Sequence, residues 1–373
     1  MTDVVGASAT GYGLARRRRR CWVRGVALGV GVVVVGAVGG GWALYAKLSH
    51  NITADEAAEA ELARYERERP TALVRGAQNI LLIGSDTRAG DGNGRYGKDS
   101  GTERSDTTIL LHLARDRRSA TAVSLPRDLM VHVPGCLRAD GRRSEPSFTL
   151  FNSAFEVGGS ACTVRTVETL TDIRVDHYVV VDFNGFKDMV DAIDGVQVCL
   201  KKPIDDKAAK LRLPAGRVTL DGEQALGYVR VRKSLGDGSD TGRMDRQQQF
   251  LGALVNKVQS SDVLLNPAKL YPLLDAATSA LTTDPELASL RGLYQLVRGL
   301  RDVPTDQVQF LTVPREPYVY DSNRDQLEAG RADALFALLR ADRPVKVAKK
   351  NTSAGDSSAS AFRGKTAAED SCE

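Results

Sequence analysis

Two aspartates stand at the ends of predicted strands, each inside a Ser-Asp-Thr tripeptide. Asp86 follows the apolar run NILLIGS, and Asp106 precedes the run TTILLHLA. A third strand-like run, SATAVSLP, is followed by Arg127. Strand ends in open α/β sheets form ligand crevices, and paired carboxylates offer the hard oxygen ligands that suit Mg2+. The alternative is that both aspartates only cap turns, as Asp often does.

Arginines form a second group of candidate residues. Arg230 and Arg232 alternate in the sequence, so in an extended segment they point the same way. In the helix predicted after them, Arg243 and Gln247 lie on the same apolar stripe as Phe250. Polar groups on a buried helix face are costly without a partner, and an anion near the helix N-terminus would provide one. An internal salt bridge with a core carboxylate is the alternative, whereas a solvated basic face does not fit this position.

Together these residues indicate phosphate chemistry. Carboxylates that hold a metal and arginines that hold phosphate oxygens are the arrangement of phosphoryl transfer. The sequence has no G-x-x-x-x-G-K-[ST], G-x-S-x-G or H-E-x-x-H motif. His112, His132 and His177 lack metal-ligand spacing and are predicted to be ordinary strand or loop residues. The net charge of +4 is mild, so it does not by itself indicate nucleic-acid binding.

The N-terminus predicts a membrane anchor. Five arginines, Arg16–Arg20, precede an apolar stretch at 22–46 that is bracketed by Trp22 and Trp42. In a helix the two tryptophans would lie roughly 30 Å apart, the thickness of a bilayer core. The basic cluster predicts a cytoplasmic N-terminus, with the chain after the span outside the cell. A cleaved signal peptide is the alternative, although the apolar run is longer than a usual h-region.

The alternation of strands and helices after the anchor predicts an α/β layered domain. The predicted helices in its second half cover 222–230, 243–260, 266–280, 286–300 and 325–341, with one strand at QVQFLTV. We predict a basic cytoplasmic segment (1–21), a transmembrane helix (22–46), a solvated helical stalk or linker (47–77), a catalytic domain (78–260), a mostly helical C-terminal extension of that domain (261–343) and a disordered tail (344–373).

The chain has five cysteines, of which four are expected in an oxidising exterior. Cys136 and Cys162 both lie in loop-like sequence, which predicts a disulfide between them. Cys199 lies in the strand-like VQVCL and is predicted to be buried, Cys372 falls in the tail, and Cys21 borders the membrane span. The alternative is that all five are free.

Several motifs, in this order, resemble the LytR-CpsA-Psr family: NILLIGSDTR, ERSDTTILL, AVSLPRDLMVHVPG, FNSAFEVGG, LDGEQALGYVRVR and GRMDRQQQFL. The resemblance covers roughly residues 78–260, and the arginine-rich, cysteine-bearing version looks actinobacterial. It implies an α-β-α sandwich with a central mixed sheet and an apolar tunnel for a lipid tail, preceded by one transmembrane helix. It also implies an extracytoplasmic enzyme that moves a glycopolymer from polyprenyl pyrophosphate to the muramic acid 6-hydroxyl of peptidoglycan. A phosphodiester forms and polyprenyl phosphate is released.

The resemblance also assigns residues. Asp86 and Asp106 match the acidic pair that holds magnesium, and Arg104 and Arg127 match arginines that line the phosphates. Leu150 stands where many members have a lysine. The implied pyrophosphate contacts are Arg230, Arg232, Arg243 and Gln247, with Arg88 and Arg246 close by. The implied partners are a polyprenyl-pyrophosphate-linked glycopolymer, peptidoglycan and membrane lipid, without nucleic acid.

Two other functions fit the same residues. A pyrophosphatase would use water in place of the sugar hydroxyl. A membrane-bound regulator or scaffold would have no catalytic step, but a scaffold gives no reason for carboxylates and arginines to converge at strand ends.

Overall fold

A computed structural model describes residues 39, 41–85, 105–207, 209–231, 240–260, 266–348, 362–369 and 372. The strands are β1 (Thr53–Ala54), β2 (Gln78–Ser85), β3 (Ser105–Leu113), β4 (Ala120–Leu125), β5 (Met130–Val133), β6 (Ser147–Leu150), β7 (His177–Val181), β8 (Val196–Leu200), β9 (Ile204–Asp206), β10 (Leu211–Leu213), β11 (Gly216–Leu220), β12 (Leu281–Thr283), β13 (Val308–Thr312), β14 (Arg315–Tyr318), β15 (Asp321–Leu327), β16 (Val347–Ala348) and β17 (Phe362–Thr366). The helices are α1 (Glu56–Arg64), α2 (Ser153–Thr171), α3 (Phe183–Ala192), α4 (Gly222–Arg230), α5 (Asp240–Gln259), α6 (Pro267–Ala280), α7 (Leu290–Arg301) and α8 (Ala329–Arg340).

The described residues build a nine-stranded central sheet in the order β1-β12-β7-β2-β3-β4-β13-β17-β16. The sheet is mixed, because β2–β7 and β4–β13 pair in parallel while β2–β3 and β3–β4 pair antiparallel. This confirms the predicted α/β class with a central mixed sheet. Separate two-stranded ladders join β5 to β6, β8 to β11, β9 to β10 and β14 to β15.

Both faces of the central sheet are buried. In β2, Leu81 and Ile83 belong to one apolar cluster, which includes residues of α2 and α8. Ile80 belongs to another cluster, together with Val303 and partly buried leucines of α7. Since successive strand residues point to opposite faces, helices cover the sheet on both sides, as an α/β layer arrangement requires.

A third apolar cluster lies around the smaller ladders. It includes buried side chains of α3, β8, β9, β10, β11, α4 and α5. Phe250 of α5 is 1% exposed in this cluster, and its ring centroid lies 5.4 Å from that of Phe186 of α3. We refer to this group as the α3–α5 cluster.

The predicted solvated stalk is wrong for α1. Leu62 is 2% exposed and Glu61 is 5% exposed, because α1 packs against α2. Oε1 of Glu61 accepts from Nη1 of Arg143 at 3.0 Å. Following α1, Nη2 of Arg69 donates to Oε1 of Glu168 at 2.9 Å. The sequence looked solvated because the few buried positions of α1 include a charged residue that is paired inside the fold.

The predicted disordered tail is also wrong for 362–366. This segment forms β17, which pairs antiparallel with β13 in the central sheet. A Cβ on Gly364 would lie 2.5 Å from the carbonyl oxygen of Phe310, so glycine allows the close approach of the two strands. Cys372 beyond β17 forms a disulfide with Cys199 of β8. Cys199 is buried, as predicted.

The N-terminal residues are a separate unit, because the chain divides into Met1–His50 and Asn51–Glu373. A helix covers residues 41–51, and most of the predicted span at 22–46 lies outside the described residues. Among the residues that are described, no helix combines the length and apolar character needed to cross a membrane.

The predicted disulfide between Cys136 and Cys162 is confirmed. It links the segment after β5 to α2, and it lies against Gly158, where a Cβ would come within 2.9 Å of the Cβ atoms of both cysteines. Gly158 and Gly159 have non-helical φ/ψ angles and kink α2 at this point. Glycine at position 158 therefore leaves space for the disulfide, and the helical geometry of α2 is interrupted at Gly158 and Gly159.

Replacing both Cys136 and Cys162 by serine should lower the free energy of unfolding by about 2–4 kcal/mol, because the unfolded chain regains the freedom that the cross-link removes. Urea unfolding of the full-length chain, followed by circular dichroism, measures the change. Cys21→Ser is the matched control, since Cys21 takes part in neither disulfide. Equal stability of the double variant and the control would contradict a stabilising role.

Candidate active site

Asp106 lies in an irregular step of the β2–β3 ladder. Gly84 pairs with Thr107 and Ser85 pairs with Ser105, so Asp106 is the extra residue of a β-bulge. Bulges bend a strand and re-aim a side chain, and they are frequent next to active sites. The Asp106 side chain is 27% exposed. Its carboxylate is therefore accessible at the end of the sheet.

The register of β3 and β4 explains why Arg127 meets Asp106. Thr108 pairs with Leu125, and the same register continued by two residues sets Asp106 opposite Arg127. Nη1 of Arg127 donates to Oδ1 of Asp106 at 2.8 Å, and Nε lies 3.4 Å from Oδ2 of Asp128. One guanidinium group thus bridges two carboxylates, one in β3 and one in the turn between β4 and β5.

Two neighbouring glutamines fix α5 over this end of the sheet. Nε2 of Gln247 donates to Oγ1 of Thr107 at 3.0 Å. Nε2 of Gln248 donates to Oγ of Ser124 at 3.2 Å and to Oγ1 of Thr312 at 3.1 Å. Because Ser124 and Thr312 are opposite each other in the β4–β13 ladder, one amide group spans two strands. The first half of α5 is therefore held beside Asp106.

The same part of α5 carries two guanidinium groups into the interior. Arg243 is 4% exposed and Arg246 is 8% exposed. Burial lowers the pKa of Arg246 below its ordinary value, although a guanidinium stays protonated at neutral pH. Nη2 of Arg246 donates to the carbonyl of Val231. Buried positive charge near the N-terminus of a helix favours an anion.

Arg230 stands at the border of the α3–α5 cluster. It is the last residue of α4, and its Cζ lies 4.7 Å from the centroid of the Phe183 ring at the start of α3. This is a cation–π contact. Tyr228 of the cluster donates its hydroxyl to Oε1 of Gln249 at 3.1 Å, and burial raises the pKa of Tyr228 to about 12. A positive charge and an apolar interior therefore meet at Arg230.

The structure brings together Asp106, Arg127 and the Gln247 amide, and places Arg243 and Arg246 in the same half of α5. Other predicted site residues lie outside the described residues, namely Asp86, Arg88, Arg104 and Arg232. Of the two predicted magnesium ligands, the structure describes Asp106. Its accessible carboxylate fits this role, because Mg2+ prefers hard oxygen ligands.

Sequence reasoning missed three residues of this region. Asp128 could have been proposed as a site residue from the sequence, because it follows Arg127 directly in the segment PRD. Gln248 had no separate signal, since a glutamine in a QQQ run gives no indication of which amide reaches the sheet. Phe183 had no signal of a site residue, since its contact with Arg230 depends on the tertiary placement of α4.

Comparison with known proteins gives a consistent result. The profile of the LytR_cpsA_psr family matches residues 46–339. The cell wall biosynthesis protein LcpA of Corynebacterium glutamicum is 38% identical over 268 residues, which are 64% of this chain and 50% of LcpA. The chain thus spans about half the length of that relative.

The likeness extends to a protein named TagT, both in sequence and in structure. The polyisoprenyl-teichoic acid–peptidoglycan teichoic acid transferase TagT of Bacillus subtilis is 31% identical over 327 residues, covering 84% of this chain and 93% of TagT. A solved structure of TagT bound to LI-WTA superposes with a TM-score of 0.55 at 25% identity, covering 74% of this chain and 97% of that chain.

A second group of titratable side chains lies at the opposite end of the sheet. Nδ1 of His177 lies 3.2 Å from Oδ1 of Asp284, and Glu286 is close enough for the three to hold a metal ion. However, Asp284 already accepts from the backbone N–H groups of Glu286, Leu287 and Tyr178. His177 was predicted to be an ordinary strand residue; it is buried and paired with a carboxylate.

The free energy of unfolding should fall as pH rises through the folded-state pKa of His177. Burial alone would lower this pKa, but the hydrogen bond and charge of Asp284 outweigh burial, so the pKa is raised above its ordinary value. The stabilisation is therefore fully present below the unfolded-state pKa of about 6.5 and is lost at higher pH as the imidazolium deprotonates.

Urea unfolding between about pH 5.5 and 8.5 measures this slope around the ordinary histidine pKa. His177→Gln should remove its contribution, whereas the matched variant His132→Gln, at an exposed position, should retain it. An unchanged slope in His177→Gln would show that another group titrates in this range.

Proposed function

Because the chain belongs to the LytR_cpsA_psr family, we propose that it is a phosphotransferase that attaches a glycopolymer to peptidoglycan. The donor is a polyprenyl-pyrophosphate-linked glycopolymer, and the acceptor is the 6-hydroxyl of muramic acid. The observation that carries the proposal is the Arg127 guanidinium bridging Asp106 and Asp128. The names of relatives as teichoic acid transferases support it.

The arginines hold the pyrophosphate. Arg127 and Arg230 present guanidinium groups at two borders of the site, and Arg243 adds a buried positive charge from α5. Guanidinium groups match phosphate oxygens through two parallel hydrogen bonds. The α5 N-terminal half, fixed by Gln247 and Gln248, keeps these charges in place before the substrate arrives, which is how preorganised charge lowers a barrier.

Asp86 and Asp106 would hold a magnesium ion. When bound, the ion would neutralise charge on the pyrophosphate oxygens. In the sequence Asp86 directly follows Ser85, the residue that pairs with Ser105 next to the Asp106 bulge. Arg127 keeps the Asp106 carboxylate oriented through its 2.8 Å hydrogen bond.

The transfer exchanges one phosphorus–oxygen bond for another. The acceptor hydroxyl oxygen attacks the phosphorus next to the glycopolymer, and its proton passes to Asp106 or Asp86. The bond from that phosphorus to the bridging oxygen breaks, and the polyprenyl phosphate leaves with the electron pair. Because the transition state of phosphoryl transfer is loose, positioning and charge neutralisation supply most of the catalysis.

The α3–α5 cluster is the proposed place for the start of the polyprenyl tail. It is apolar, and Arg230, which lies against the Phe183 ring, is flanked in the chain by Val229 and Val231 of this cluster. A polyprenyl pyrophosphate needs this combination, since its charged head and apolar tail are covalently adjacent.

We place the protein in the cell membrane with a single span, a cytoplasmic N-terminus and an extracytoplasmic catalytic domain. The run Arg16–Arg20 before the apolar stretch supports this orientation. The disulfides Cys136–Cys162 and Cys199–Cys372 also support it, because disulfides persist in oxidising compartments.

Asp106→Ala should lower the rate of transfer at least about 100-fold, as expected when a preorganised charged group is removed from a phosphoryl-transfer site. Full-length protein in detergent is incubated with magnesium, a synthetic polyprenyl-pyrophosphate saccharide and uncrosslinked peptidoglycan. Mass spectrometry then measures the phosphodiester-linked product, and circular dichroism checks the fold.

Asp140→Ala is the matched control, because Asp140 is an exposed carboxylate paired with Arg142 and should leave the rate unchanged. Full activity of a folded Asp106→Ala variant would overturn the proposed role of Asp106. Release of free saccharide phosphate by the unaltered protein, without a linked product, would indicate a pyrophosphatase instead.

Arg230→Gln should weaken binding of polyprenyl pyrophosphate by about tenfold to 100-fold, because a hydrogen bond to a charged group contributes about 1.5–3 kcal/mol. Isothermal titration calorimetry with a short-chain prenyl pyrophosphate measures the affinity. Arg212→Gln, at an 87% exposed side chain, should bind normally. Unchanged affinity in Arg230→Gln would remove Arg230 from the pyrophosphate site.

A further inference from the structure

Two β-hairpins beside the candidate active site carry a row of aromatic rings. His132 of β5 and Phe148 of β6 are opposite each other in register, with ring centroids 4.9 Å apart. The Phe148 ring lies 6.1 Å from that of Tyr318, and Tyr318 lies 5.4 Å from Tyr320 at the tip of the β14–β15 hairpin. We call these four side chains the aromatic row.

The aromatic row faces solvent. Tyr320 is 86% exposed and Phe148 is 46% exposed. The core side of β5 is already filled, since Val131 and Val133 are each 2% exposed and alternate with His132 along the strand. Contiguous exposed aromatic side chains are uncommon on a folded protein and mark binding surfaces.

The aromatic row is continuous with the candidate active site. The β5–β6 hairpin begins just after Arg127 and returns to it, because the N–H of Asn152 donates to the carbonyl of Arg127 at 3.2 Å. The second hairpin is joined at the same point, where the N–H of Asp325 donates to the carbonyl of Asp128 at 3.1 Å. A ligand lying along the row would therefore reach the phosphate-binding guanidinium.

Amide and carboxylate groups accompany the rings. Nε2 of Gln326 donates to Oε1 of Glu316 at 2.7 Å, and Nδ2 of Asn323 donates to Oδ1 of Asp321 at 3.1 Å. A pyranose ring has an apolar C–H face, which stacks on aromatic rings, and a rim of hydroxyl groups, which bond to amides and carboxylates. Binding at an anionic lipid surface instead requires clustered basic residues.

We propose that the aromatic row binds the glycan strand of peptidoglycan and guides its hydroxyl group to the phosphate held near Arg127. This inference rests on the proposed function and assigns the acceptor to a surface. The donor is already held through its pyrophosphate by guanidinium groups.

The test uses the full-length protein in detergent and purified peptidoglycan sacculi, without donor. Co-sedimentation measures the sacculus concentration that binds half of the protein. The double variant Phe148→Ala/Tyr320→Ala should require about tenfold more sacculi, because it loses two of the aromatic rings that would stack on the sugars. Both positions are exposed, so the fold should be retained.

Tyr294→Ala is the matched control, because Tyr294 is a 64% exposed tyrosine of α7, and it should bind sacculi normally. Calorimetry with a prenyl pyrophosphate should give the same affinity for the double variant and the unaltered protein. Unchanged sacculus binding in the double variant, or weakened donor binding instead, would overturn the inference.

Failure of the proposed function gives a different pattern. Protein that binds sacculi through the aromatic row but forms no linked product with an authentic donor would support the binding surface and overturn the transferase. Linked product formed with equal acceptor dependence by the unaltered protein and the double variant would support the transferase and overturn the role of the aromatic row.

Discussion

The antiparallel register between β3 and β4 is the constraint on which the candidate site depends. Pairing Thr108 with Leu125 fixes the opposition of Asp106 and Arg127 beyond the last ladder pair. The Arg127 guanidinium then meets the carboxylates of Asp106 in β3 and of Asp128 in the turn after β4. A shift of one residue would turn every side chain to the other face of the sheet. The buried apolar side chains of β3 and β4 therefore fix the register, and with it the positions of Asp106 and Arg127.

The charged groups are positioned by uncharged ones. Gln247 and Gln248 tie α5 to three strands through Thr107, Ser124 and Thr312. Buried charge is costly to reorganise, and these neutral hydrogen bonds set its place before any anion binds. The interior charge of α5 and the partly exposed Arg127–Asp106 pair are therefore two parts of one electrostatic arrangement, built from different elements.

The sequence was a good guide where local signals and tertiary structure agree. Helix α4 has its predicted bounds because Asp221 and Gln224 form a capping box at its start. The strands that carry Asp106 and Arg127 were visible as β-branched apolar runs. The presence of Asp106 at a strand end could therefore be predicted, but its bulge could not, because a bulge depends on the partner strand.

Strands that depend on pairing with distant segments had no local signal in the sequence that predicted them. The segment DSNRDQL was partly assigned to a helix, yet it forms β15, since its backbone pairs with β14. The sequence FRGKT is too polar to predict a strand, and it becomes one because β13 offers an open edge. The aromatic row is likewise invisible in the sequence, where its members are up to 188 positions apart, from His132 to Tyr320.

The position of β17 has a consequence for biosynthesis. A chain is synthesised from its N-terminus, and β17 consists of residues 362–366, far behind the strands of the site. Until that segment is available, β13 has an unpaired edge, whose free backbone N–H and C=O groups can pair with strands of other chains. Completion of the sheet must therefore wait until residues 362–366 have been synthesised.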